Sequence, residues 1–183
     1  MFFHNGVGFR PLEECDLEDV RRLRNDQSTW IHLSDPTLIS SKSQKAWFES
    51  LSQSKDKVYY AVFKMTKEFP IIYRDFLGII RMDQYDPLNR SARIGCDIVL
   101  GKRGEGYGTK TFRAIMFYLF NHLGLHRLWL CVLEGNEVAK KLYENVGFKE
   151  EGRMRDAVFR DGMYKDYVVM SILHDEYRKL SVK

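Results

Sequence analysis

The stretch Gly101-Lys102-Arg103-Gly104-Glu105-Gly106-Tyr107-Gly108-Thr109 joins a strand pattern to a helix pattern, and few folds accept such a join. Before it, Ser91 to Leu100 alternates, with Ile94, Cys96, Ile98 and Leu100 on one side. After it, Phe112, Ile115, Met116, Leu119, Phe120 and Leu123 recur at helical spacing as a wide core-facing stripe, which Gly124 ends. A strand, a glycine loop and a helix N-terminus together make an anion site. Backbone N–H groups and the positive end of the helix dipole converge there, and glycines let phosphates approach the backbone. The P-loop pattern is absent, because Lys110 is out of register with the last glycine. The dinucleotide fingerprint needs GxGxxG after a first strand, whereas the spacing here is GxGxG, more than halfway along the chain. A third pattern, Arg/Gln-x-x-Gly-x-Gly/Ala, is met by Arg103 to Gly108. Alone it competes with a plain glycine turn before a helix.

The remaining pattern is a mixed α/β domain around one sheet. Phe9 to Leu12 reads as a first strand, and Asp16 as the N-cap of a helix carrying Leu17, Val20 and Leu23 and ending near Asn25. A second helix is expected around Ser43 to Ser52. Val58 to Met65 and Phe76 to Gln84 are strands, and Asp86-Pro87-Leu88-Asn89 is a turn. Leu128 to Leu133 is a short apolar strand, as expected when both faces are covered. A helix from Glu137 to Val146 presents Ala139, Leu142, Tyr143 and Val146, with Gly147 after it. Two last strands, Glu150 to Phe159 and Tyr164 to Leu173, flank Asp161-Gly162 as a hairpin. The expected order is β-α-α-β-β-β-α-β-α-β-β, in a single domain over residues 1–183.

Composition narrows the function classes. A net charge of +4 suits an anionic ligand but falls short of a nucleic-acid footprint, and no Lys/Arg run exceeds two residues. Cys15, Cys96 and Cys131 form no metal spacing, so no metal site is expected, and the two in strands read as buried free thiols. There is no signal-like start and no long apolar span, which implies a cytoplasmic protein without membrane contact.

The segment Asn136-Glu137-Val138-Ala139-Lys140-Lys141-Leu142-Tyr143-Glu144-Asn145-Val146-Gly147-Phe148 follows N-x-x-A-x-x-L-Y-x-x-x-G-F. With the glycine loop upstream and an apolar strand between, the chain resembles the GNAT N-acetyltransferase superfamily, and within it the RimJ/RimL-like branch. The resemblance implies a central mixed, mostly antiparallel sheet flanked by helices, and acetyl-CoA as co-substrate. Its pyrophosphate would lie on Arg103, Gly104, Glu105, Gly106, Tyr107, Gly108 and Thr109. Ile98, Val99, Asn136 and Lys141 would also contact it, with backbone N–H groups near Val99 polarising the thioester. It further implies that the Tyr143 hydroxyl protonates the leaving thiolate. On residue statistics alone Tyr143 is core and Asn136 a helix N-cap. Many relatives carry a carboxylate early in the strand where this chain has Arg93. Asp97, the strand's only carboxylate, is the candidate base, beside a structural role for it and water-mediated deprotonation.

The acceptor is a small-molecule or peptide amine. Leu23-Arg24-Asn25, Trp30, Ile39-Ser40, Lys57 to Tyr60, Glu151 to Asp156 and Asp161 to Asp166 resemble the amino-sugar N-acetyltransferases of pseudaminic-acid-type pathways. A nucleotide-linked amino sugar would suit Arg24, Arg153 or Arg155. Looser versions of these segments occur in protein-terminus (ribosomal-protein-type) and polyamine acetyltransferases. A silent acyl-CoA-binding regulatory module is the alternative of a different class, and a homodimer is the assembly the family implies.

Overall fold

The computed structural model describes residues 1–65 and 75–181. Among the described residues eight strands form one sheet, in the order β1-β2-β3-β4-β5-β6-β8-β7. They are β1 (Phe2–His4), β2 (Val7–Pro11), β3 (Val58–Lys64), β4 (Phe76–Asp86), β5 (Ser91–Ile98), β6 (Arg127–Leu133), β7 (Lys149–Arg160) and β8 (Met163–Leu173). Every neighbouring pair is antiparallel except β5 with β6. The helices are α1 (Leu17–Asn25), α2 (Gln27–Trp30), α3 (Ser41–Leu51), α4 (Tyr107–Asn121), α5 (Glu137–Asn145) and α6 (His174–Ser181).

Alternation along the strands splits the core in two. Val62, Ile80, Ile94, Leu130 and Met170 face one side with α4, whose Phe112, Ile115, Met116, Leu119 and Phe120 are each no more than 2% exposed. Each such side chain contributes roughly 1.5–3 kcal/mol of burial, so α4 is the spine of that layer. Ala61, Phe63 and Ile79 face the other side, under α1 and α3.

The expected elements are present, with corrections at their ends. Asn5-Gly6, at φ of 52° and 82°, closes a hairpin that adds β1 ahead of the expected first strand. An Asn-Gly pair is the signal for such a turn. The short α2 is capped by Asp26, whose carboxylate accepts from the Ser28 N–H, and α6 follows the last strand. Asp16 does not cap α1. Its buried carboxylate turns back to Arg10, at 2.7 and 2.9 Å, and to the Glu13 N–H. Ser40 caps α3, which therefore starts at Ser41 rather than Ser43. Leu100 is exposed because β5 stops at Ile98, and Leu123 because α4 stops at Asn121. The alternation and the helical stripe each ran one step past their element. Met65, expected in a strand, lies just beyond β3.

Candidate active site

The parallel β5–β6 ladder is only three residues long, Ser91 with Arg127 through Arg93 with Trp129. Beyond it β5 continues along β4 as far as Ile98, and β6 continues along β8 as far as Leu133, so the two strands part. A cavity of about 510 Å³ fills the gap. Cys96, Asp97 and Ile98 line one wall and Cys131, Val132 and Leu133 the other, with the starts of α4 and α5 at the mouth. The cysteines are correspondingly half-buried rather than core, and Cys15 is exposed.

The glycine loop stands at that mouth. Gly104 and Gly106 have φ of 81° and 79°, conformations that favour glycine, and a Cβ on either would meet nothing within 4 Å. The first bond of α4 runs from the Lys110 N–H to the Gly106 carbonyl, so Tyr107, Gly108 and Thr109 have no intrahelical acceptor for theirs. An open backbone and unspent N–H groups at a helix start fit a pyrophosphate. Glu105 is exposed on the loop, and Thr109 is half-buried in the first turn. Tyr107 is buried in the core, with Lys110 Nζ 5.1 Å from its ring centroid, so only its backbone faces outward.

Arg103 is not aimed at a phosphate. Its Nε donates to the Ile98 carbonyl at 2.8 Å, Nη1 to the Ser28 hydroxyl at 2.9 Å and carbonyl at 3.0 Å, and Nη2 to the Thr29 hydroxyl at 2.5 Å. It thereby ties the loop to α2 across more than seventy residues of sequence. The Val99 N–H is also spent, on the Leu77 carbonyl at 2.9 Å, which removes it as a thioester donor. Backbone groups alternate sides along a strand, and the Ile98 carbonyl points to Arg103, away from β4. Ile98 therefore turns its own N–H to the open side.

Asn136 caps α5, its side-chain oxygen accepting from the Ala139 N–H at 3.2 Å, and it also lines the cavity. Lys141 is exposed on α5, outside the lining. Tyr143 lies at the cavity's inner end, its ring edge-on to Phe112 at 5.1 Å and tilted against Phe148 at 6.2 Å. Burial pushes its phenol well above the ordinary value, against the pull of Arg81. It therefore stays protonated at neutral pH.

Asp97 is ion-paired with Arg81 at 3.0 Å. Arg93, where the resemblance implied a carboxylate in many relatives, is held by the buried Asp83 at 2.6 and 2.9 Å. Sequence reasoning missed Arg81. Its only signal was a charge inside the β4 run, and its partners depend on the β4–β5 register. Cys96, Cys131 and His32 were likewise missed as lining residues. Burial pushes the His32 imidazole down, and Arg103 and Lys165 push the same way. Among the described residues no cluster of His, Cys, Asp or Glu could hold a metal, and no helix is long and apolar enough to cross a membrane.

Comparison with known proteins agrees with this geometry. Residues 7–149 match the acetyltransferase (GNAT) domain family. The Bacillus subtilis protein YdaF, provisionally named a ribosomal N-acetyltransferase, is 37% identical over 100 residues, 55% of each chain. The spermidine N(1)-acetyltransferase of Vibrio cholerae is 27% identical over 92% of this chain and 93% of its own. A crystal structure of spermidine N-acetyltransferase from V. cholerae, in complex with CoA and spermine, superposes with a TM-score of 0.85. It covers 94% of this chain and 98% of that one at 24% identity, a likeness of fold. None of these three is an amino-sugar enzyme, so they do not carry the narrower resemblance. The chain belongs to the GNAT acetyltransferase family and is an acetyl-CoA-dependent N-acetyltransferase.

Proposed function

We propose that the acetyl group passes by direct attack of a neutral primary amine, and that the amine is the α-amine of a peptide or protein. The observation that carries this is the charge lining of the cavity. Of its two carboxylates, Asp97 is neutralised by Arg81, and Glu137 stands at the start of α5. Among the described residues nothing at the inner end offers an unpaired carboxylate to a polycation. An α-amine ionises at about 7.7–8.0 and is partly neutral near pH 7, so it needs no strong base, whereas a lysine-like amine at about 10.4 does. Water suffices to take its proton, and Asp97 stays in its ion pair with Arg81, outside the proton transfer.

In this mechanism acetyl-CoA supplies the activated thioester. The N–H groups at the start of α4 hold the pyrophosphate, with Gly104 and Gly106 allowing the approach. Ile98 donates its N–H to the carbonyl oxygen as negative charge develops there. Tyr143, kept neutral by burial, donates its hydroxyl to the departing sulfur. Asn136 fixes the start of α5 and thereby the placement of Tyr143. Lys141, at the outer surface of α5, reaches only the distal phosphate end.

A polyamine acceptor is the second reading, favoured by whole-length similarity to spermidine N(1)-acetyltransferases. Free-thiol release from acetyl-CoA decides between the two. The panel holds peptides with free N-termini, spermidine and nucleotide-linked amino sugars. Peptide-dependent release supports the proposal, spermidine-dependent release the second reading, and sugar-dependent release the narrower resemblance. Self-assembly is also proposed: edge strand β7 exposes Met154 and Phe159, and a V. cholerae structure is described as dodecameric. Light scattering of the purified chain tests it.

A further inference from the structure

Arg81 stands on β4 directly across from Gly95 on β5. A Cβ on Gly95 would lie 2.7 to 2.9 Å from Nε, Nη2 and Cζ of Arg81, so the guanidinium rests on the space that the missing side chain leaves. One of its nitrogens, Nη1, is hydrogen-bonded to Asp97, the only such bond Arg81 makes among the described residues. A guanidinium carries five N–H donors, so most of this fork is unspent. Its side chain is 27% exposed, and it lines the same cavity as Tyr143.

The side from which Arg81 enters is informative. Ile94 and Ile98 of β5 pack towards α4, so Gly95 and Asp97 face the opposite side of the sheet, as Arg81 does. The glycine loop and Tyr143 belong to the α4 and α5 side. Arg81 therefore meets the opening from the side left to the amine.

We propose that Arg81 is a specificity-determining residue that reads an oxygen next to the reacting amine. This rests on the peptide-amine reading above and names the group that enforces it. A peptide α-amine has its own residue's carbonyl oxygen two bonds from the amine-bearing carbon, and that oxygen accepts from the free N–H groups of Arg81. A polyamine offers the guanidinium only donors and like charge. Arg–carbonyl pairing of this kind is geometrically selective because the fork is planar and rigid. Asp97 is then a positioning residue, holding one end of the guanidinium so that the other faces the opening.

A matched pair of small acceptors of similarly depressed basicity tests this in the whole chain: alaninamide, with a carbonyl beside the amine, and but-3-yn-2-amine, with an ethynyl group in its place. Thiol release is measured for the wild type, Arg81→Gln and Gly95→Ala, with acetyl-CoA KM and melting temperature followed in each. Arg81→Gln is expected to lower kcat/KM for alaninamide by about 10- to 100-fold, the worth of a charged hydrogen bond, and to leave but-3-yn-2-amine within about threefold. Gly95→Ala displaces the guanidinium without removing its charge and should erode the same preference. Equal loss on both acceptors at unchanged acetyl-CoA KM would mean that Arg81 only supports the fold, and the proposal fails. It fails too if the wild type ignores the carbonyl. No release by the wild type with any amine would sink the peptide-amine reading itself, a result separable from the other two.

Discussion

Gly108 and Leu142 set how closely α4 approaches α5: a Cβ on Gly108 would lie 2.7 Å from Leu142 Cδ1. The contact sits at the mouth of the cavity, so helix spacing and ligand access are coupled. The obstructing atom is the end of a flexible side chain, which can give way to one methyl. Gly108→Ala should therefore change stability by less than about 1 kcal/mol, since alanine also favours the helix. Gly108→Val should raise the acetyl-CoA KM at least about tenfold, because overpacking moves the helices that frame the mouth. Steady-state kinetics with acetyl-CoA varied check both.

Tyr143→Phe keeps the ring against Phe112 and Phe148 and removes only the hydroxyl. Turnover should fall by roughly 10²- to 10⁴-fold while acetyl-CoA affinity, measured by calorimetry, holds. Because burial raises the phenol above its ordinary value, the wild-type rate should show no alkaline loss from Tyr143 below about pH 10. Unchanged turnover in the variant would remove Tyr143 from the reaction.

Gly78 backs the strand end that carries Asp97 and Ile98. A Cβ there would lie 2.0 Å from the Asp97 carbonyl oxygen, and its φ is 150°. That obstruction is backbone and cannot swing aside. Gly78→Ala should cost at least about 3 kcal/mol, a melting-temperature drop of roughly 6–12 °C in a chain this size. Gly6→Ala, at φ of 82° in open space, is the control and should cost about 1 kcal/mol.

Glu151 is hydrogen-bonded by Arg127 and by the Ser171 hydroxyl, which hold its carboxyl at about 2 instead of 4.5, Arg127 contributing most. The folded value lies below the unfolded one, so the native state favours the carboxylate. Its stabilising contribution is complete above about pH 4.5 and is lost as pH falls towards 2. Thermal melts from pH 6 to 2.5 should show a steeper acid loss for the wild type than for Glu151→Gln. Parallel curves would mean that the pair is idle in solution.

Much of the fold and of the site is legible in the sequence. The glycine loop, the α4 stripe and the N-x-x-A-x-x-L-Y segment are local patterns. Each depends on a helical or strand period, or on a backbone shape that glycine alone favours. Arg103 shows where such reading stops. Its place in the loop was correct, but its guanidinium faces Ser28 and Thr29, because a planar fork takes the oxygens that folding brings within its reach. Val99 failed as a donor for a similar reason: which amides a strand spends depends on the partner strand's register.

The sequence by itself determined the family and the co-substrate, since both are written in short contiguous runs. Only the tertiary structure decided that β5 and β6 part after three residues, that Asp97 is neutralised, and that Arg81 rests over Gly95. These are relations between residues far apart in the chain. Their energies come from distances that exist only once the sheet has formed.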